Sequence, residues 1–430
     1  MTNLKISRSL VLCVFVGSSA VAHANVVTDW NALAVQCISN ATPPARGGPA
    51  GLLDLAIVHL AIHDAVQAIE KDFEPYFATP PATGRESRSA AAAAAAHDVL
   101  VVLCPAAVAT LDAAFKPWAD GHDPGLAIGS AAAAALLTKR RPTPMLPDFT
   151  GGTGIGEWRP TPPSLLPMQF LFLATTEPFA LEAPDQFRPE APPSIDSREY
   201  VRDYYEVKNL GAVESHPAVG ACPAPRATDL ARFWSGNFIS QWNEAARNIA
   251  IDEQLSTGDS ARLMALVNVA MADAAITVWD SKITFNYWRP ITAIREGNND
   301  GNRHTVGDPD WTPFIASAHF PAGSQTPPYP DYTSGANGLT GAAIELLRLY
   351  FHTDRFEFEV NKATAPSVAI CTNPRSYRRF SDAAEEVVNA RILLGIHFRA
   401  ADEVARRQGG QVAEWTFKNI LRPLRHHRRH

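Results

Sequence analysis

Apolar residues recur along most of this chain at intervals of three and four, the period of a helix with one face turned inward. Residues 52–70, "LLDLAIVHLAIHDAVQAIE", show the period over five turns and predict a helix. Residues 89–117 predict one or two more, broken near Pro105, whose ring removes a backbone donor. An Ala-rich helix is expected at 126–139. From Arg141 to about 195 the pattern dissolves into Pro and Gly, as in "RPTPMLPDFTGGTGIGEWRPTPPSLLP", and a long connection is expected. Helical spacing returns at 197–210 and in "DLARFWSGNFISQWNEAARNIA". Another run starts near "STGDSARLM", with Asp259 or Ser260 as N-cap, and reaches Trp288, where Pro290 forbids continuation. A loop at 297–333 and helices near 335–351, 377–396 and 401–421 complete the prediction of an all-α chain. There are no repeats.

Composition narrows the class. The chain has 430 residues, 46% hydrophobic and 19% charged, enough for a large buried core. A net charge of −6 gives no nucleic-acid footprint, so an anion site must be local. Residues 1–24 read as a secretory signal peptide: Lys5 and Arg8, an apolar "LVLCVFVGSSAV", then Ala22-His23-Ala24 as the cleavage pattern. Secretion or periplasmic export is expected, and no later segment reads as a membrane span. Cys13 leaves with the signal. Cys37, Cys104, Cys222 and Cys371 remain and allow up to two bridges in any of three connectivities. The expected organisation is an amino-terminal helical region, 25–228, carrying the connection at 141–195, then a helical domain, 229–425, and a basic tail, 426–430.

Three stretches carry unusual chemistry. "SKITFNYWRP" sets Lys282 and Arg289 seven apart in a mostly apolar run. On one helix, that spacing would aim both cations the same way, and an anion between them would relieve their repulsion. "PPYPDYTSGANG" ends a Pro-stiffened loop in Ser334-Gly335 at a helix start, where backbone N–H groups and a hydroxyl can meet an anion. "NARILLGIHFRAADE" sets Arg391 and His397 six apart, near one helical face. His59 and His63, four apart on the first strong helix, have a spacing that could bind metal, but no Glu follows His59 to make a metalloprotease motif, and a buried structural role is expected. "GGTGIG" lacks the Lys-Ser/Thr of a phosphate loop and reads as a turn.

Lys-x6-Arg-Pro, Ser-Gly at a helix start and Arg-x5-His, in this order, resemble the signature of the vanadium haloperoxidase and type 2 phosphatidic acid phosphatase superfamily. The resemblance covers about residues 230–425 and extends to "VVTDWNALAV" and "AIVHLAIHDAVQAIEKDFEPY", similar to secreted bacterial haloperoxidase-like proteins. It implies a helical bundle with an additional amino-terminal helical region. Lys282, Arg289 and Arg391 would neutralise the oxygens of vanadate or phosphate, with Ser334 and the Gly335 N–H donating to them. His397 would bond vanadium in a peroxidase, or attack phosphorus in a phosphatase. Vanadate is the implied cofactor, with hydrogen peroxide, halide and a small organic molecule, or a phosphate ester, as substrates. The resemblance leaves a homo-oligomer open.

One position departs from the family. Its second motif reads Ser-Gly-His, and that His is the acid/base; here Ala336 stands in its place, followed by Asn337. Positioned acid/base help is worth roughly 10²–10⁴ in rate. Asp331, His319 and Asp280 are the candidates to supply it. Ala401 occupies the position where the family has a carboxylate orienting the final His, leaving Asp402 and Glu403 to reach the ring. Three readings follow: a haloperoxidase, an acid phosphatase using His397 as nucleophile, or a phosphate- or vanadate-binding protein without catalysis.

Overall fold

The computed structural model describes residues 25–39, 48–77, 79–140, 148–216, 222, 224–362 and 370–424. The expected signal peptide and basic tail lie outside these residues. The described chain is mostly helical and folds around one long helix, α9 (Thr257–Phe285), of 29 residues. At 1.5 Å per residue it is about 43 Å long. It is apolar on every side, as a helix enclosed by others must be. Against it pack α2 (Gly51–Glu70), itself buried from Gly51 to Ile69, and the pair α11 (Gly335–Phe351) and α13 (Arg399–Asn419). Helices α3 (Arg88–Leu103) and α5 (Gly125–Lys139) cover α2, and α1 (Val26–Ser39) meets α8 (Phe238–Asp252). One apolar core runs through both halves of the chain.

Length and hydropathy alone would let Gly48–Glu70 and Thr257–Phe285 cross a membrane, as would the bent pair Arg88–Leu103 and Pro105–Ala119. The apolar windows of the two single helices are wholly enclosed by protein, so their hydropathy serves the core. Two disulfides join Cys37 to Cys104 and Cys222 to Cys371.

The expected helix at 52–70 is present, and the break near Pro105 separates α3 from α4 (Val108–Ala119). Four expectations need correction. A hairpin of β1 (Arg355–Val360) and β2 (Arg375–Arg379) interrupts the helices, pairing Phe358 with Tyr377. Its strand signal is present, in the alternation of Arg355-Phe356-Glu357-Phe358-Glu359-Val360, but spans only six residues. The N-cap of α9 is Ser256, whose hydroxyl accepts the Asp259 N–H. The helix ends at Phe285, since Asn286 turns left-handed (φ 45°) and returns its N–H to the Lys282 carbonyl. Beyond it the chain runs extended against the Pro/Gly-rich connection: Trp158 N–H bonds the Asn286 carbonyl, and Trp288 N–H bonds Gly156. Pro290 therefore opens a new helix, α10 (Pro290–Glu296), instead of ending the old one. The other end of the site differs likewise. Helix α12 (Phe380–Leu393) stops before His397, and Gly395, with φ 74°, turns the chain back inward.

The crossing of α11 and α13 sets the site's geometry. A Cβ added at Gly341 would lie 2.2 Å from the Arg406 carbonyl oxygen, and one at Gly409 would lie 2.0 Å from that of Gly338. Only glycines allow the two backbones this close. Their N-terminal ends consequently meet, joined by Ser334 N–H to the Ala401 carbonyl.

Candidate active site

Lys282 and Arg289 do converge, but through the Asn286 turn and not through helical spacing. Both are fully buried, which excludes charged heads reaching solvent. Lys282 Nζ donates to the carbonyls of Pro330 (2.6 Å) and Asp331 (3.2 Å). Arg289 Nε donates to Tyr329 O (2.8 Å), and Nη1 to Ile396 O (2.7 Å). The loop before α11 and the turn before His397 are thus fastened to the two cations by backbone bonds. The Tyr329 ring lies 4.9 Å from Lys282 Nζ and 5.0 Å from the Arg289 guanidinium carbon, a cation–π arrangement with both.

His397 sits against this group. Arg289 Nη1 is 3.1 Å from its Nε2 and 3.3 Å from its Nδ1. Asp331 Oδ1 is 2.7 Å from Nδ1 and 3.6 Å from Arg289 Nη1. Burial, then the Arg289, Lys282 and Arg391 charges, push the His397 ring well below the usual histidine range. The imidazole is neutral, the state that a nucleophile or a ligand needs. Burial also raises the Asp331 carboxyl, to about 7, against the pull of Arg289 and Lys282. Lys282 is itself lowered by burial and by Arg289.

Arg391 approaches from α12. Its guanidinium packs over Phe238 (5.5 Å) and has one long bond, from Nη1 to the Trp234 carbonyl at 3.4 Å. It lines a cavity of about 290 Å³ together with Phe238, Trp279, Tyr329, Gly335 and Ala336. Lys282, Arg289 and His397 do not line it; Tyr329, which does, lies against both cations. A Cβ at Gly335 would meet only the Trp279 ring at 3.5 Å, so the glycine is not required by packing.

Several buried polar atoms here lack an aligned hydrogen-bond partner: Arg289 Nη2, Arg391 Nε, Ser334 Oγ, Asp331 Oδ1, Asn337 Oδ1 and Asp402 Oδ2. Ser334 is the N-cap of α11, yet its side chain does not cap the helix. An unmet buried donor costs about 1–3 kcal/mol. Two guanidinium donors, a hydroxyl and a helix N-terminus around a neutral imidazole are the donor set of a tetrahedral oxyanion. The residues present therefore fit a tetrahedral oxyanion such as vanadate or phosphate.

Of the residues considered as a substitute acid, Asp331 lies at the site, against His397. Asp280 is committed to Arg188 by two bonds of 2.7 Å. His319 packs at a tilt against Phe314 and meets Arg232. Glu403 lies 3.6 Å from Arg399. Asp402 is fully buried and is held by Asn337 Nδ2 at 2.7 Å on Oδ1, away from the His397 ring. Asp331, not Asp402 or Glu403, is the carboxylate that reaches His397. His59 and His63 are buried in the core, His59 against Asn31 (2.9 Å) and His63 against the Glu74 carbonyl (3.0 Å). Among the described residues, no group of three or more His, Cys, Asp or Glu could hold a metal ion. The roles of Tyr329 and Trp279 escaped sequence reasoning because aromatic residues near a motif read as core.

Residues 262–426 match the model of the second helical-bundle domain of vanadium chloroperoxidase. Vanadium chloroperoxidase of Curvularia inaequalis is 34% identical over 124 residues, 26% of this chain but only 19% of that protein. A bacterial vanadium-dependent iodoperoxidase superposes with a TM-score of 0.75 at 24% identity, covering 93% of this chain and 97% of that one. A bacterial vanadium-dependent chloroperoxidase gives 0.69 at 20% identity, covering 93% and 98%.

Proposed function

We propose that this protein is a vanadate-dependent haloperoxidase, since residues 262–426 match the model of the second helical-bundle domain of vanadium chloroperoxidase and the fold is like that of vanadium haloperoxidases over 93% of the chain. The observation that carries the reading is the set of unmet buried donors on Arg289, Arg391 and Ser334 beside a neutral His397. Bound vanadate would supply Lewis-acid activation of hydrogen peroxide for the oxidation of halide. The protein's part is to neutralise and orient. Lys282 and Arg289 anchor the Tyr329–Asp331 backbone and set a positive potential. Asp331 Oδ1 lies 2.7 Å from His397 Nδ1, and Arg289 Nη1 lies 3.1 Å from Nε2, so an anion at Nε2 would meet Arg289 there. The cavity of about 290 Å³ beside Arg391 would admit halide or a small organic molecule. Export through the residue 1–24 signal belongs to the same proposal.

The test is reconstitution of purified protein with vanadate, followed by peroxide-dependent halogenation of a phenol indicator with chloride, bromide and iodide. Turnover that requires vanadate and is lost in His397→Ala supports the reading. An acid phosphatase would instead release phosphate from aryl esters through a phosphohistidine at His397. Trapping that adduct, with no halogenation, would replace the first reading by the second. Tight anion binding with neither activity would mark a binding protein.

A further inference from the structure

Asp402 is a buried carboxyl that the mechanism above leaves unused. It stands in the first turn of α13, where the close crossing with α11 sets it against the start of that helix. Asn337 Nδ2 fixes Oδ1 at 2.7 Å. Oδ2 has no aligned partner, and neither has the Ser334 hydroxyl, which lies beside this carboxyl. The arrangement leaves one carboxyl oxygen and one hydroxyl facing each other at the rim of the oxyanion donors. Ala336, two residues after Ser334 and one before Asn337, carries only a methyl group.

We propose that Asp402 is a positioning residue that holds the site's working proton and passes it to the bound oxyanion through Ser334. This rests on the oxyanion reading of the site. In the step, the Asp402 Oδ2–H bond breaks as its proton passes to Ser334 Oγ. The Ser334 hydroxyl proton passes to an oxygen of the anion, and Asp402 is left as carboxylate beside Arg391. Solvent returns the proton. The pair does in two hops what a single imidazole would do in one, and so occupies the role that Ala336 leaves vacant.

The charges around Asp402 are known from every side: Arg391 on α12, Lys282 on α9, Arg289 before α10, Asp331 on the loop, and Ser334 with Asn337 on α11. Burial is the largest influence and raises the carboxyl to about 8, while Ser334, Arg391 and Asn337 lower it and Asp331 raises it. Below that pH Asp402 is a neutral donor. Above it, a second negative charge competes with the anion for the same cations.

The experiment measures tungstate affinity by calorimetry from pH 6.5 to 9, a range in which this tetrahedral dianion keeps its charge. Wild type, Asp402→Asn and Asn337→Ala are compared. Asp402→Asn copies the protonated shape, and Asn337→Ala removes the bond that favours ionisation. Wild-type affinity should fall about tenfold more across the range than that of Asp402→Asn, because Lys282, His397 and Asp331 contribute equally to both. In Asn337→Ala the fall should begin at higher pH. Parallel profiles in all three proteins would overturn the role of Asp402 and leave the oxyanion site standing. No tungstate binding by the wild type at any pH would overturn the site itself, and the inference with it.

Discussion

Arg391→Met separates binding from folding more cleanly than any other change at this site. Methionine keeps an unbranched apolar stem and removes the guanidinium, so the charge is lost while the backbone and neighbouring residues need not move. In the fold Arg391 has one bond of 3.4 Å, to the Trp234 carbonyl, and an unpartnered Nε. At that length the bond is marginal, and removing a poorly paired buried cation also removes its desolvation cost. Stability should change by less than about 1 kcal/mol. The anion, by contrast, loses a charge-assisted hydrogen bond worth about 1.5–3 kcal/mol. With about 1.4 kcal/mol per decade, phosphate or vanadate affinity should fall roughly 10- to 150-fold. Calorimetric titration at pH 6.5, beside a thermal melt, reads both numbers. An affinity within twofold of wild type, with an unchanged melt, would refute the assignment of Arg391 to the anion.

Lys282→Met should act differently, losing anion affinity and also stability by about 2–4 kcal/mol, because its ammonium bonds both the Pro330 and Asp331 carbonyls; urea denaturation checks this. Asp273 is buried on α9 and accepts the N–H groups of Phe179, Ala180 and Leu181. Asp273→Asn turns an amide N–H₂ toward at least one of those donors and should cost about 1–3 kcal/mol. Burial raises the Asp273 carboxyl to about 6 against an ordinary 3.8, so its favourable contribution is complete below pH 3.8 and is lost as pH rises through 6. The stability gap between wild type and Asp273→Asn should accordingly narrow from pH 4 to pH 7. Gly341→Ala places a methyl 2.2 Å from the Arg406 carbonyl and should destabilise by about 1–3 kcal/mol despite the better helix propensity of Ala, a sign readable by chemical denaturation.

The long helices were legible because 3.6-residue periodicity is a local property of the chain. Gly51–Glu70 and Gly335–Phe351 follow their apolar pattern to within a residue. The candidate residues were legible for a different reason. Lys282, Arg289, Ser334, Arg391 and His397 form spaced motifs, and the fold gathers them. How they gather was not legible. A uniform helix through Trp288 and another through His397 would have satisfied the pattern, whereas Asn286 and Gly395 break both with positive φ values. Those turns depend on contacts with the Pro/Gly-rich connection and with Gly211, far away in sequence. The carboxylates were hardest to place. Asp331 and Asp402 are both near motifs, and only the crossing of α11 and α13 decides which one meets His397.

The central claim is that these groups form one oxyanion site organised on His397. Equilibrium vanadate titration of the purified protein, competed by inorganic phosphate and repeated on His397→Ala, tests it most directly. The account predicts one vanadate per chain, displacement by phosphate, and a loss of affinity of tenfold or more in the variant. Vanadate binding that phosphate does not displace, or that survives unchanged in His397→Ala, would contradict it.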